Sequence, residues 1–76
     1  MADRKINVAV IGTGWIGEIR AKACANHPLV ESVYIAEIDP AKLARVGEAT
    51  RAKTATTDYR ELLRRDDIDA IFVCST

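Results

Sequence analysis

Charge of one sign is the first thing this sequence lacks: eleven Lys and Arg are matched by eleven Asp and Glu, interspersed along 76 residues. Without a basic patch or an acidic tail, nucleic acid is excluded as a partner on electrostatic grounds. Long apolar runs are missing as well. Nothing approaches the roughly 18 consecutive apolar residues of a membrane span, and the run that follows Arg4 and Lys5 breaks at Gly12 with no small-residue cleavage pattern. No membrane partner and no secretion are indicated, so the expectation is a cytoplasmic protein with reduced thiols. Cysteine is scarce. Cys24 and Cys74 stand far apart in apolar stretches with no CxxC or Cys/His spacing, which supports neither a disulfide framework nor a metal site; they read as buried thiols. The single histidine, His27, precedes Pro28 and has no nucleophile or carboxylate placed beside it by sequence, so it reads as a loop residue. Size is the last shortage. A chain this short buries only about 60% of the surface its unfolded form exposes, and no disulfide or metal staple compensates.

What is present is a regular alternation. Residues 5–11, "KINVAVI", are β-branched-rich and apolar on both faces at Val8, Ala9, Val10 and Ile11, as a central parallel strand must be. A helix is expected over 15–26, with Ile16, Ile19 and Ala23 at helical spacing and "NHP" ending it. "VESVYIAE" at 30–37 is the second strand. Asp39 then caps a second helix that has Pro40 at its first position and Leu43, Val46, Gly47 and Thr50 as its inward stripe. A short strand covers about 53–56. Asp58 caps a third helix whose Tyr59, Leu62 and Leu63 share a face, with Tyr59 read as core. Residues 70–74 are continuously apolar and end in the small polar Ser75 and Thr76.

The order βαβαβαβ dictates a parallel sheet, because parallel neighbours need crossovers and those crossovers are right-handed. The fold class is therefore α/β, a doubly wound parallel sheet of Rossmann type comprising the first half plus strand 4, in spatial order 3-2-1-4. Strand 4, apolar on both faces, would be an exposed edge of a kind that intact proteins cover. The expectation is that residues 1–76 are the N-terminal part of a dinucleotide-binding domain, with a C-terminal substrate domain outside this chain.

"VIGTGWIGEIR" carries the chemistry. A lone GxGxxG is weak, but Gly12, Gly14 and Gly17 follow a strand, open a helix, and precede an acid, Glu37, at the end of the second strand. Gly12 permits the tight turn, Gly14 lets a pyrophosphate approach the backbone, and Gly17 lets helix and strand pack closely. The N–H groups of Gly14, Trp15 and Ile16 are free donors at a helix start, with the dipole adding about 0.3 to 1 kcal/mol. Glu37 would accept hydrogen bonds from both hydroxyls of the adenosine ribose. The next residue, Ile38, can pack against adenine but cannot pair with a 2′-phosphate, so NAD is expected over NADP, with Lys42 the nearest base. Thr13 completes the loop. Trp15 reads equally as core or as a cover for the cofactor. The competing interpretation is a glycine-rich turn serving strand-to-helix geometry alone.

Over almost its whole length the chain resembles the N-terminal domain of the glucose-fructose oxidoreductase and inositol dehydrogenase family, Gfo/Idh/MocA. The resemblance rests on "INVAVIGTGWIG", "EIDP" after the second strand, and "TTDYRELLRRDDIDAIFVCST". Arg20 departs from it, since many members have histidine there. The resemblance implies hydride transfer between a nicotinamide cofactor and a sugar, polyol or related small molecule. It also implies that Ser75 and Thr76 begin a segment beside the nicotinamide ribose, and that the intact protein is a homo-oligomer. Its proton-transfer residues, a lysine in a Glu-Lys-Pro motif among them, are not in this chain, so no catalytic residue is assigned. A non-catalytic nucleotide-sensing or partner-binding Rossmann module shares the same site and remains the alternative.

Overall fold

The computed structural model describes residues 5–74; Ser75 and Thr76 lie outside them. Strands and helices alternate as β1 (Ile6–Ile11), α1 (Trp15–Ala25), β2 (Val30–Ala36), α2 (Pro40–Thr50), β3 (Thr54–Thr56), α3 (Arg60–Leu63) and β4 (Ala70–Val73). All strand pairs are parallel, in the order β3-β2-β1-β4. Both the class and the strand order expected from the alternation are therefore found.

The two central strands explain the rest. Val8, Ala9 and Val10 of β1 and Val33 through Ala36 of β2 are all buried, so each strand needs cover on both faces. On one face Val10, Val33 and Ile35 pack with Ala21 of α1 and Val46 of α2; on the other Ala9, Tyr34 and Ala36 pack with Leu62 of α3. The alternation of successive residues between the two clusters is the strand period itself.

The two long helices obey sequence rules unequally. In α2 the expected Asp39 cap forms, its carboxylate accepting from the N–H groups of Ala41 at 3.0 Å and Lys42 at 3.4 Å. Val46 and Thr50 are buried as expected. In α1 the expected face is wrong. Ile16, Ile19 and Ala23 are exposed, and the buried residues are Gly17 and Ala21, with Cys24 and Ala25 half-buried. Small side chains face the sheet because the helix backbone lies close against it: a Cβ on Gly17 would collide with the carbonyl oxygen of Gly12. The larger residues are left on the outer flanks, where Arg20 stacks over the Phe72 ring, 5.7 Å from its centroid. Both thiols are half-buried rather than fully buried.

The third helix is only four residues long. Its N-cap is Tyr59, with no side-chain cap bond, rather than the expected Asp58, which sits one residue earlier and accepts from the Arg60 N–H at 3.0 Å; of the expected inward face only Leu62 is buried. Tyr59 and Leu63 are about half exposed. Tyr59 is thus not a core residue: α3 ends before a second turn could carry both neighbours of Leu62 onto the sheet. β4 pairs with β1, and among the described residues no strand pairs its other edge; its Ile71, Phe72 and Val73 are exposed, which is the apolar edge strand expected.

Candidate functional site

The four strands end together. Ile11 stands opposite Ala36 and Val73, and Ala36 stands opposite Thr56, so the carboxyl ends of all four strands reach one edge of the sheet. The chain then leaves in register: Gly12 N–H donates to Ala36 O at 2.8 Å, Glu37 N–H to Thr56 O at 3.0 Å, and Cys74 N–H to Ile11 O at 2.8 Å. β1 lies between β2 on one side and β4 on the other, so the strand order reverses at this point, where open α/β sheets leave a crevice. A cleft of about 480 Å³ opens there, and Gly12, Gly14, Glu37 and Ile38 are among its lining residues.

Each glycine does a different job. Gly12 has φ of 88°, a left-handed conformation in which a side chain would be strained, and it turns the chain from β1 toward α1. Gly14 is the N-cap of α1 at φ −61°, an ordinary conformation, and a Cβ built on it meets nothing within 4 Å. The absent side chain therefore leaves open space at the helix start and relieves no clash. Gly17 is the packing glycine. The first intrahelical bond is Glu18 N–H to Gly14 O at 2.8 Å, so the N–H groups before Glu18 have no acceptor within the helix.

Glu37 is more firmly held than sequence spacing reveals. Its Oε1 accepts from both the N–H of Thr13 at 2.6 Å and the hydroxyl of Thr13 at 2.8 Å, and its Oε2 accepts from the N–H of Asp39 at 2.9 Å. Burial pushes the carboxyl up, but the Asp39 and Thr13 N–H groups, the Thr13 hydroxyl and the charge of Lys42 outweigh it. The net displacement is below the ordinary value of 4.5. With about four lone-pair sites on a carboxylate and three of them filled, one position on Oε2 is left for an incoming donor.

The remaining candidates separate. Thr13 is buried beneath the loop at 1% exposure, while Trp15 is 81% exposed and Ile16 about half exposed, so Trp15 is not core. Ile38 is 84% exposed at the mouth of the cleft. Sequence reasoning missed Thr57 and Tyr59, which together with Lys42 line the same cleft as the glycines. The available signal for them was position: each follows the carboxyl end of a strand that pairs directly with β2. His27 serves as a turn residue, its Nδ1 accepting from the Leu29 N–H at 3.1 Å.

Open space where a phosphate would sit, free N–H donors around it, and a carboxylate with one vacant acceptor position at the far end fit an adenine dinucleotide. Known proteins agree. A family described as an oxidoreductase family with an NAD-binding Rossmann fold matches residues 6–76. The oxidoreductase YrbE of Bacillus subtilis (strain 168) is 32% identical over 72 residues, covering 95% of this chain and 21% of that protein. Among solved structures, apo scyllo-inositol dehydrogenase from Lactobacillus casei superposes with a TM-score of 0.88 at 23% identity, covering all of this chain and 23% of that one. Levoglucosan dehydrogenase in complex with NADH superposes at 0.80 with 25% identity, covering 95% of this chain and 22% of that one. The chain thus spans about a fifth of the length of the relatives it matches.

Proposed function

The chain belongs to the Gfo/Idh/MocA oxidoreductase family, and from that premise we propose that it is the cofactor-binding part of an NAD-dependent dehydrogenase acting on a sugar, polyol or related small-molecule alcohol or ketone. In that reading the pyrophosphate lies over Gly14, the N–H groups at the start of α1 donate to it, and the adenosine ribose reaches Glu37. One ribose hydroxyl donates to the vacant position on Oε2; the second shares the carboxylate with the donors already there. Ile38 and Tyr59 flank the adenine. When bound, the nicotinamide supplies a carbon that accepts or gives a hydride. Held by the N–H groups at the start of α1 and by Glu37, the cofactor would supply the hydride acceptor for oxidation of an alcohol, whose O–H proton would go to a base outside the described residues.

The observation that carries the proposal is the vacant space at Gly14 beside unpaired helix-start N–H groups. A turn built only for geometry has no need of a bare Cα where a side chain would touch nothing. Comparison supports the cofactor: levoglucosan dehydrogenase, at 25% identity, is described in complex with NADH. A cytoplasmic location, a separate substrate domain and a homo-oligomeric whole belong to the same proposal; among the described residues no helix is long and apolar enough to cross a membrane.

The test is Gly14→Val. The added Cβ meets no protein atom within 4 Å and stands where the phosphate would lie, so NAD binding measured by calorimetry should be abolished while the thermal melt is largely kept. Near-normal affinity in the variant refutes the assignment.

A further inference from the structure

The glycine loop and the acid that follows β2 could in principle act as two independent parts of a dinucleotide site. Here they are one. Thr13 lies between two glycines, is 1% exposed, and places its N–H and its hydroxyl on the same carboxylate oxygen, at 2.6 and 2.8 Å. The Asp39 N–H holds the other oxygen from the opposite loop at 2.9 Å. Glu37 therefore bridges the β1–α1 and β2–α2 loops. A glutamate side chain has three rotatable bonds, and ordering it has an entropic cost; in this protein that cost is already met by folding. The Thr13 hydroxyl is buried, so it depends on Glu37 for a partner as much as Glu37 depends on it.

We propose that Thr13 is the positioning residue of the ribose site, fixing the Glu37 carboxylate before any nucleotide arrives and thereby setting the preference for an unphosphorylated adenosine ribose. The inference rests on the dinucleotide-binding role proposed above. Held in place, the carboxylate offers one vacant lone pair to a hydroxyl and meets a 2′-phosphate with like charge. A carboxylate free to rotate loses both properties together: it accepts from the hydroxyl less well and can turn away from the phosphate. Lys42 of α2 is the positive group that acts on Glu37, and a released Glu37 would leave it available to the phosphate. Asp39, the other acid nearby, is engaged by the start of α2.

The experiment compares the protein with Thr13→Val, which keeps the volume and the backbone donor but removes the hydroxyl, and with Thr13→Ser, which restores the hydroxyl. NAD and NADP are titrated into each by calorimetry, and the Glu37 carboxyl is titrated by NMR in the absence of nucleotide. Thr13→Val should bind NAD about fivefold more weakly, the loss of one ordinary hydrogen bond, with NADP affinity not reduced, so that the selectivity ratio falls. Its Glu37 should titrate at higher pH, and Thr13→Ser should stay close to the parent in both respects. Should valine prevent folding, Thr13→Ala carries the same comparison. An unchanged selectivity ratio and an unchanged Glu37 titration in Thr13→Val overturn the inference and leave the binding role standing, as does Thr13→Ser failing as badly as valine. A parent protein that binds neither dinucleotide overturns the binding role, and the selectivity role with it.

Discussion

Replacing Gly17 by alanine should unfold the protein more readily without touching a ligand, and the size of the effect follows from the contacts. The new Cβ collides with the carbonyl oxygen of Gly12 and lies 3.2 Å from the Cβ of Cys74. Gly12 cannot yield, since its φ of 88° and its hydrogen bond to Ala36 O pin it to the sheet. α1 must move outward instead, opening the seam in which Ala21 packs against Val10, Ile35 and Val46. Overpacking of this kind costs about 1 to 3 kcal/mol, and backbone collision puts it at the upper end. Against this, alanine is favoured over glycine inside a helix by about 1 kcal/mol. The net loss is about 2 kcal/mol, which in a domain of this size lowers the melting temperature by about 8 to 16 °C. Gly14→Ala is the control: its Cβ meets nothing within 4 Å, and the change at a cap position should stay within about 1 kcal/mol. Thermal unfolding followed by circular dichroism reads both. Gly17→Ala melting within about 2 °C of the parent, against that 8 to 16 °C expectation, would refute the close helix-to-sheet packing on which the glycine assignment depends.

Other outcomes follow from single contacts. Asp39→Ala removes the cap that receives the Ala41 and Lys42 N–H groups and should cost about 1 kcal/mol in denaturant unfolding; no change would mean that Pro40 alone sets the helix start. Leu62, 1% exposed, is the only fully buried side chain α3 offers to the sheet among the described residues, and Leu62→Ala should cost about 2 to 5 kcal/mol, with a loss under about 1 kcal/mol contradicting its core role. Asp67 is held down to about 2, chiefly by its hydrogen bond from Arg65. Because the folded value lies below the ordinary 3.8, this clasp's contribution is full above that pH and is lost as pH falls through about 2; an Asp67 carboxyl titrating near 3.8 by NMR would show that Arg65 does not hold it. The exposed Ile71, Phe72 and Val73 on the open side of β4 should make the 76-residue chain associate in sedimentation experiments, and a monomer melting cooperatively above about 60 °C would contradict that.

The parts legible in the sequence were those fixed by alternation and by glycine. Four strands separated by crossovers admit few parallel arrangements, and the glycines after Ile11 marked both the turn and the start of α1. Facing was harder. In α1 the spacing of Ile16 and Ile19 suggested an inward stripe, yet Gly17 and Ala21 face the sheet, because close approach selects small residues and a hydrophobicity pattern scores them low. Tyr59 looked like core for the same reason, its apolar bulk outweighing its place beside a strand end. The Thr13–Glu37 clamp joins residues 24 apart through the register of β1 on β2, and that register is a tertiary fact which periodicity alone does not carry.

The central claim is that this domain holds NAD through Glu37, and titrating the protein with NAD and NADP under identical conditions tests it most directly. Glu37 is fixed by three donors at the mouth of the cleft, and its neighbour Ile38 is exposed and carries no charge for a phosphate. NAD should bind at least about tenfold more tightly than NADP, a difference of about 1.4 kcal/mol, and Glu37→Ala combined with Ile38→Arg should swing the preference toward NADP. Equal or tighter binding of NADP by the unaltered protein would contradict the account, since it would mean that the carboxylate does not meet the ribose.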